Sequence, residues 1–161
     1  MKKKIVMKFG GTSNGSASAI QRIVDILYKY KTAGIEIAVV VSAAEGVTNA
    51  FNLSILQSQS VEKGDSKNTL SNIQARLEKI ASELLHTESA RYLFSEILTS
   101  YLEEAHRACS QIKNHAKNQP QLKDQILSIG ERIQIHLIAA ALKQKGVRSK
   151  PIEASELIIT N

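Results

Sequence analysis

An α/β fold with a mainly parallel sheet is predicted for this chain. Three observations predict it: an apolar run at residues 4–9, a β-branched run at 36–42, and helical periodicity between them. The first run, Lys4-Ile5-Val6-Met7-Lys8-Phe9, reads as a buried strand that ends at Gly10-Gly11. Ala19, Ile20, Ile23, Val24, Leu27 and Tyr28 then recur at helical spacing, and Gly34 closes that helix. Glu36 to Ser42 (EIAVVVS) is the continuous run expected of a strand covered on both faces. Strand, helix and strand in this order form a parallel unit. Ligands of such sheets gather at the carboxyl ends of the strands. The Gly10-Gly11 turn and the Ser42–Asn49 loop are therefore expected to line one crevice.

The middle of the chain has a different character. Ser58 to Asn68 is polar and reads as a surface loop. Leu70, Ile73, Leu77, Ile80 and Leu84 form a heptad-like stripe, and Ala90, Phe94, Ile97, Tyr101, Ala105 and Ile112 form a second. A helical hairpin over residues 66–116 follows, joined near His86-Thr87-Glu88, with both stripes facing the core. Asn118 as cap and Pro120 in the first turn open another helix. Ser128-Ile129-Gly130-Glu131 is expected to interrupt it before Ile133, Leu137, Ile138, Ala141 and Leu142 resume and Gly146 ends it. Val147 to Glu153 reads as a short strand, and Pro151 places it at a sheet edge or strand end. An apolar pair, Ile158-Ile159, runs almost to the last residue, so residues 1–161 are expected to be one incomplete lobe of a larger domain.

Composition narrows the function. Lysine and arginine outnumber the acids 21 to 15, giving a net charge of +6, which suits an anionic ligand. The charges are scattered, the only basic run is Lys2-Lys3-Lys4, and aromatics are 4% without Trp, so little is available to stack on bases. No nucleic-acid or membrane partner is expected. No apolar run approaches a membrane span, and the five residues after Lys4 are too few for a signal-peptide core, so a cytoplasmic location is expected. The single cysteine, Cys109, lies on an apolar helical face and reads as a buried structural thiol. His86, His106, His115 and His136 show no metal-ligand spacing and read as surface or helix-end residues.

The chemistry concentrates in Lys8-Phe9-Gly10-Gly11-Thr12-Ser13. Adjacent glycines let the backbone approach a bulky anion, and the first amides of a following helix point outward unpaired. Lys8 adds a full positive charge, and Thr12 and Ser13 add hydroxyl donors. Together they make a candidate phosphate cradle.

Three motifs then fall in a fixed order: KFGGTS at 8–13, VVVSAAEGVTN at 39–49 and SIGERIQIHLIAAALKQKG at 128–146. Their order resembles the amino acid kinase family, and within it the aspartate kinases. The resemblance runs from about residue 4 to the end, with 55–125 matching in character more than in letters. It implies a three-layer α/β/α, carbamate kinase-like fold with a helical hairpin inserted. It also implies ATP-dependent phosphorylation of L-aspartate to 4-phospho-L-aspartate, with ATP and Mg2+ as cofactors and a homo-oligomeric full-length enzyme. That reaction is the entry to lysine, threonine and methionine biosynthesis. By the same resemblance Lys8 is the catalytic lysine at the ATP phosphates, with Gly10, Gly11, Thr12 and Ser13 beside it. Ser42, Thr48 and Glu131 bind aspartate, Glu131 through the amino group, and Arg132 has a supporting role.

The residue types suit that chemistry. A substrate carboxylate is already a nucleophile, so no general base is needed, and an ammonium group is answered by a carboxylate. Two positions depart from the pattern. Asn14 stands where a small apolar residue is usual, and Ile129 where a polar or small one precedes Gly-Glu. The nucleotide-base half of the kinase domain and the regulatory ACT domains fall outside 161 residues, so this stretch alone is expected to be inactive. A glutamate- or acetylglutamate-type kinase and a non-catalytic anion-binding or interaction module remain as alternatives.

Overall fold

The computed structural model describes residues 3–59, 65–114 and 119–158. Strands β1 (Lys4–Phe9) and β2 (Glu36–Val41) pair in parallel, in register from Lys4 opposite Glu36 to Phe9 opposite Val41. The crossover between them is α1 (Ala17–Thr32), preceded by a 3-10 turn at Gly11–Asn14. Ser16 caps α1 by accepting a hydrogen bond from the Ala19 amide at 3.2 Å. Ile20, Ile23, Val24 and Leu27 face the core, whereas Tyr28 turns out to solvent, where Lys145 Nζ lies 5.7 Å from its ring centroid.

The inner sheet face (Ile5, Met7, Phe9, Ile37 and Val39) is the partly buried one. On the other face Val6 is 74% and Val40 52% exposed. The expectation that β2 is covered on both faces is therefore corrected: among the described residues one face is covered. Five further helices follow: α2 (Val47–Gln59), α3 (Ser66–Leu84), α4 (Glu88–Asn114), α5 (Gln119–Gln144) and α6 (Ala154–Leu157). The stripes of α3 and α4 are largely buried, α4 packs along α5, and Phe94 and Leu98 of α4 and Ile126, Ile129, Ile133 and Leu137 of α5 are buried in the core. Cys109 is buried, its Sγ 3.7 Å from Ser54 Oγ, as a structural thiol should be.

Four boundaries differ from the sequence reading. The loop after β2 ends at Gly46, so Thr48 and Asn49 lie in the first turn of α2. Ser58 and Gln59 close α2, and Asp65 caps α3 by accepting from the Lys67 amide at 2.9 Å; residues 60–64 of the expected loop lie outside the described residues. Helix α5 runs unbroken through Ser128–Glu131, because Gly130 serves a close packing contact rather than a chain break. Residues 147–153 join no sheet. Pro151 has no amide to donate to a ladder, and the segment instead leads into α6. The expected cap Asn118 and His115 lie outside the described residues.

Candidate active site

The carboxyl ends of β1 and β2 are joined by the Ser42 amide, which donates to Phe9 O at 3.2 Å. That bond sets the start of both following loops side by side. A Cβ placed on Gly11 would lie 3.4 Å from Ala43 O, and one on Gly15 would lie 3.0 Å from Glu45 Oε2. The glycine turn and the second loop thus lie side by side, with little space between them. The third motif arrives from α5. A Cβ on Gly130 would sit 2.7 Å from Ala43 Cβ and 3.3 Å from Val47 Cγ1, so the α5 backbone lies directly on the same loop. All three motifs meet around Ala43.

Around that meeting point the candidate residues take up different degrees of exposure. Lys8 is exposed, and its Nζ folds back to 3.6 Å from the Cβ position of Gly10. Thr12 and Ser13 are exposed, whereas Ser42, Thr48 and Glu131 are half-buried. Thr48 stands in the first turn of α2, and Glu131 follows the glycine that seats α5 on the loop. The turn between Ala44 and Val47 needs Gly46 at φ 78°, a left-handed conformation that glycine adopts without a steric penalty. Arg76 of α3 brings a second cation there, its Nη1 3.1 Å from the Cβ position of Gly46. Positive charge thus flanks the loops from two sides, and acid stands at Glu131 and Glu45.

Two features escaped the sequence reading. The first is Asn14, fully buried, which donates from Nδ2 to Gly10 O at 2.7 Å and to Phe9 O at 3.4 Å. Its Oδ1 accepts from Gln134 Nε2 of α5 at 3.3 Å. The second is a polar node beside Glu131. Arg132 contacts Glu104 and Glu153, each at 2.7 Å, and its guanidinium lies 4.6 Å from the Tyr101 ring centroid. The Tyr101 hydroxyl donates to Glu153 at 2.6 Å and lies 3.2 Å from His136 Nε2. Burial and the Glu153 carboxylate push the Tyr101 phenol up to about 12. Burial lowers His136, which is a half-buried mid-helix residue rather than the surface or helix-end one expected.

Burial alone would raise the Glu104 carboxyl, but hydrogen bonds from Arg132 and Gln125 outweigh it and hold the group below its ordinary value of 4.5. A carboxyl depressed by folding adds stability above its unfolded value, and that stability is lost as pH falls through the folded value. The melting temperature is therefore expected to drop below about pH 4.5 and to drop less steeply in Glu104→Gln, as read by thermal unfolding across that range.

One surface groove lies between α3 and α4, and another is lined by residues such as Leu93, Ile97, Ala140 and Val147. Neither groove includes a candidate site residue. Among the described residues no group of three or more His, Cys, Asp or Glu side chains could cage a metal ion, and no helix is long and apolar enough to cross a membrane.

Comparison with known proteins places this arrangement. The amino acid kinase family model matches residues 3–160. The aspartokinase of Chlamydia muridarum is 30% identical over 160 residues, covering 99% of this chain and 32% of that protein. Aspartokinase 1, chloroplastic, of Arabidopsis thaliana is 27% identical over 154 residues, covering 94% of this chain and 26% of that protein. The crystal structure of E. coli aspartokinase III in complex with aspartate and ADP superposes with a TM-score of 0.72 at 26% identity, covering 92% of this chain and 30% of that one. The chain thus spans about a quarter to a third of the length of these relatives.

Proposed function

The chain belongs to the amino acid kinase family, and on that premise we propose that it is the N-terminal lobe of an aspartate kinase. It carries the phosphate-binding turn and most of the amino acid side of the site. The observation that supports this most is the meeting of the three motifs at Ala43, where Gly11 and Gly130 both lie against one loop. The similarity to an enzyme crystallised with aspartate and ADP supports the two ligands.

In this reading, Lys8 and the amides of Gly10 and Gly11 hold the ATP phosphates, with the Thr12 and Ser13 hydroxyls beside them. Ser42 and Thr48 orient L-aspartate, and Glu131 accepts hydrogen bonds from its ammonium group. An oxygen of the aspartate side-chain carboxylate forms the new bond to the γ-phosphorus. The bond from that phosphorus to the β–γ bridging oxygen breaks, and its electron pair leaves on ADP. The attacking group is already an anion, so the residues here position and neutralise charge rather than move a proton. The glycine turn and Lys8 fit a polyphosphate. They do not cage Mg2+, and a phosphate-bound magnesium ion keeps most of its ligands from phosphate and water. When bound, Mg2+ would supply charge neutralisation on the nucleotide, and the roles of Lys8, Gly10, Gly11, Thr48 and Glu131 do not run through it.

The test is ATP-dependent phosphorylation of L-aspartate by the polypeptide as the cell makes it. L-glutamate and N-acetylglutamate serve as rival acceptors. Phosphorylation of aspartate alone supports the reading, and preference for either rival overturns the substrate. Residues 1–161 by themselves are expected to show no turnover. Glu131→Gln is expected to raise the KM for aspartate by about 10- to 100-fold, the range for losing a charge-assisted hydrogen bond, with the KM for ATP nearly unchanged. Steady-state kinetics with each substrate varied in turn reads this directly.

A further inference from the structure

We propose that Asn14 and Gln134 form a buried strut that aims the phosphate turn and joins it to the helix carrying Glu131. The inference rests on the kinase reading for its purpose but not for its geometry. Asn14 is 0% and Gln134 1% exposed, in a core whose other buried polar side chains among the described residues are the small Ser54 and Ser58. Gly10 O takes two hydrogen bonds, from the Ser13 amide at 3.1 Å and from Asn14 Nδ2 at 2.7 Å. Across a trans peptide the carbonyl and the next N–H point in opposite directions. Holding Gly10 O inward therefore turns the Gly11 N–H outward, where an anion can take it. That amide donates to no backbone carbonyl among the described residues.

Asn14 can hold this position only if its own rotamer is held. Gln134 Nε2 does so, donating to Asn14 Oδ1 at 3.3 Å. Gln134 lies one helical turn beyond Glu131 on α5. A displacement of α5 along its axis is thereby transmitted through two side chains to Gly10. The arrangement carries a cost, since Gln134 Oε1 is buried without a hydrogen-bond partner among the described residues. An apolar pair of similar shape removes that cost. A strut that served stability alone is poorly chosen here, whereas one that orients an amide needs polar atoms. Asn14 and Gln134 are positioning residues, acting through the Gly10–Gly11 peptide.

The test uses NMR of the 161-residue chain, in Gln134→Met and in the double variant Asn14→Leu/Gln134→Met, with no nucleotide or aspartate present. The double variant is expected to keep the wild-type melting temperature or exceed it, whereas Gln134→Met, which leaves the buried Asn14 Oδ1 without its donor, is expected to melt lower while still folding. Both are expected to shift the Gly11 amide resonance and to lower the Gly10–Asn14 order parameters from about 0.85 to below about 0.6. Tripolyphosphate affinity, measured on the same samples, is expected to fall about tenfold, the effect of one lost hydrogen-bond donor. A turn that stays rigid in Gln134→Met, with the Gly11 resonance unmoved, overturns the proposal. Failure of both variants to fold also overturns it, since the pair is then structural. A protein that does not phosphorylate aspartate leaves this result standing, and a rigid turn leaves the kinase reading standing.

Discussion

In the polypeptide as the cell makes it, replacing Lys8 with alanine is expected to lower aspartate phosphorylation by about a thousandfold, the scale seen when a preorganised cation or donor is removed from a phosphoryl- or acyl-transfer site. The melting temperature is expected to stay within about 2 °C of wild type, because truncating an exposed side chain costs about 0.5 kcal/mol or less. The split follows from where Lys8 stands. It is the last outward-facing residue of β1, exposed along its length, with Nζ folded to 3.6 Å from the Cβ position of Gly10. Nothing in the core leans on it, so its charge is available to a ligand on the glycine turn. A substrate carboxylate and a polyphosphate are both anions, and bringing them together is the main electrostatic obstacle to the transfer. Lys8→Arg keeps the charge but spreads it over a planar fork, so it is expected to recover only part of the rate. Equal rates for wild type and Lys8→Ala would remove Lys8 from the chemistry. Joint loss of rate and melting temperature would make it a folding residue instead.

The strand–helix–strand unit was legible because its signals are local: β-branched runs, a 3.6-residue period and glycine punctuation all lie within the elements they define. The helical stripes of α3 and α4 were legible for the same reason. What could not be read were contacts between residues far apart in sequence. Gly130 looks like a helix breaker by propensity. Its real reason is Ala43, 87 positions earlier, which leaves no space for a Cβ. Asn14 looks like a tolerated departure from a pattern until Gln134 is found beside it. His136 and Glu153 gain their meaning from Tyr101, on a different helix from His136 and about 50 residues before Glu153 in the chain. The segment at 147–153 has strand-like residues but no strand to pair with among the described residues, so local propensity there had nothing to act through. At the site itself, sequence reasoning found residues that can bind anions or an ammonium group. It did not find those that hold the loops in place, since a buried amide carries no periodic signal.

Gly130→Val is expected to be the most damaging single change to the fold among the site motifs. A Cβ alone would come within 2.7 Å of Ala43 Cβ, well inside any real carbon–carbon contact, and valine adds two methyl groups beyond it. Neither neighbour can yield cheaply. Ala43 has no flexible side chain to swing aside, and its carbonyl lies 3.4 Å from the Cβ position of Gly11. The same face of helix α5 carries Ile126, Ile133 and Leu137, all fully buried, so the helix cannot shift there without disturbing the core. Overpacking of this kind costs about 3 kcal/mol, which in a chain of this length lowers the melting temperature by roughly 6–12 °C. Gly34→Ala gives the matching control. That glycine has φ 78° and nothing within 4 Å of a Cβ, so its replacement tests backbone strain without a clash, at a cost of about 1–2 kcal/mol. If the two substitutions cost the same, the tight seat of α5 on the second loop is not what Gly130 provides. If Gly130→Val costs more, the relief of the clash has a direction: α5 and the Ala43–Val47 loop move apart. That separates Glu131 from Ser42 and Thr48. The aspartate KM of the polypeptide as the cell makes it should then rise well before contacts at the glycine turn are lost.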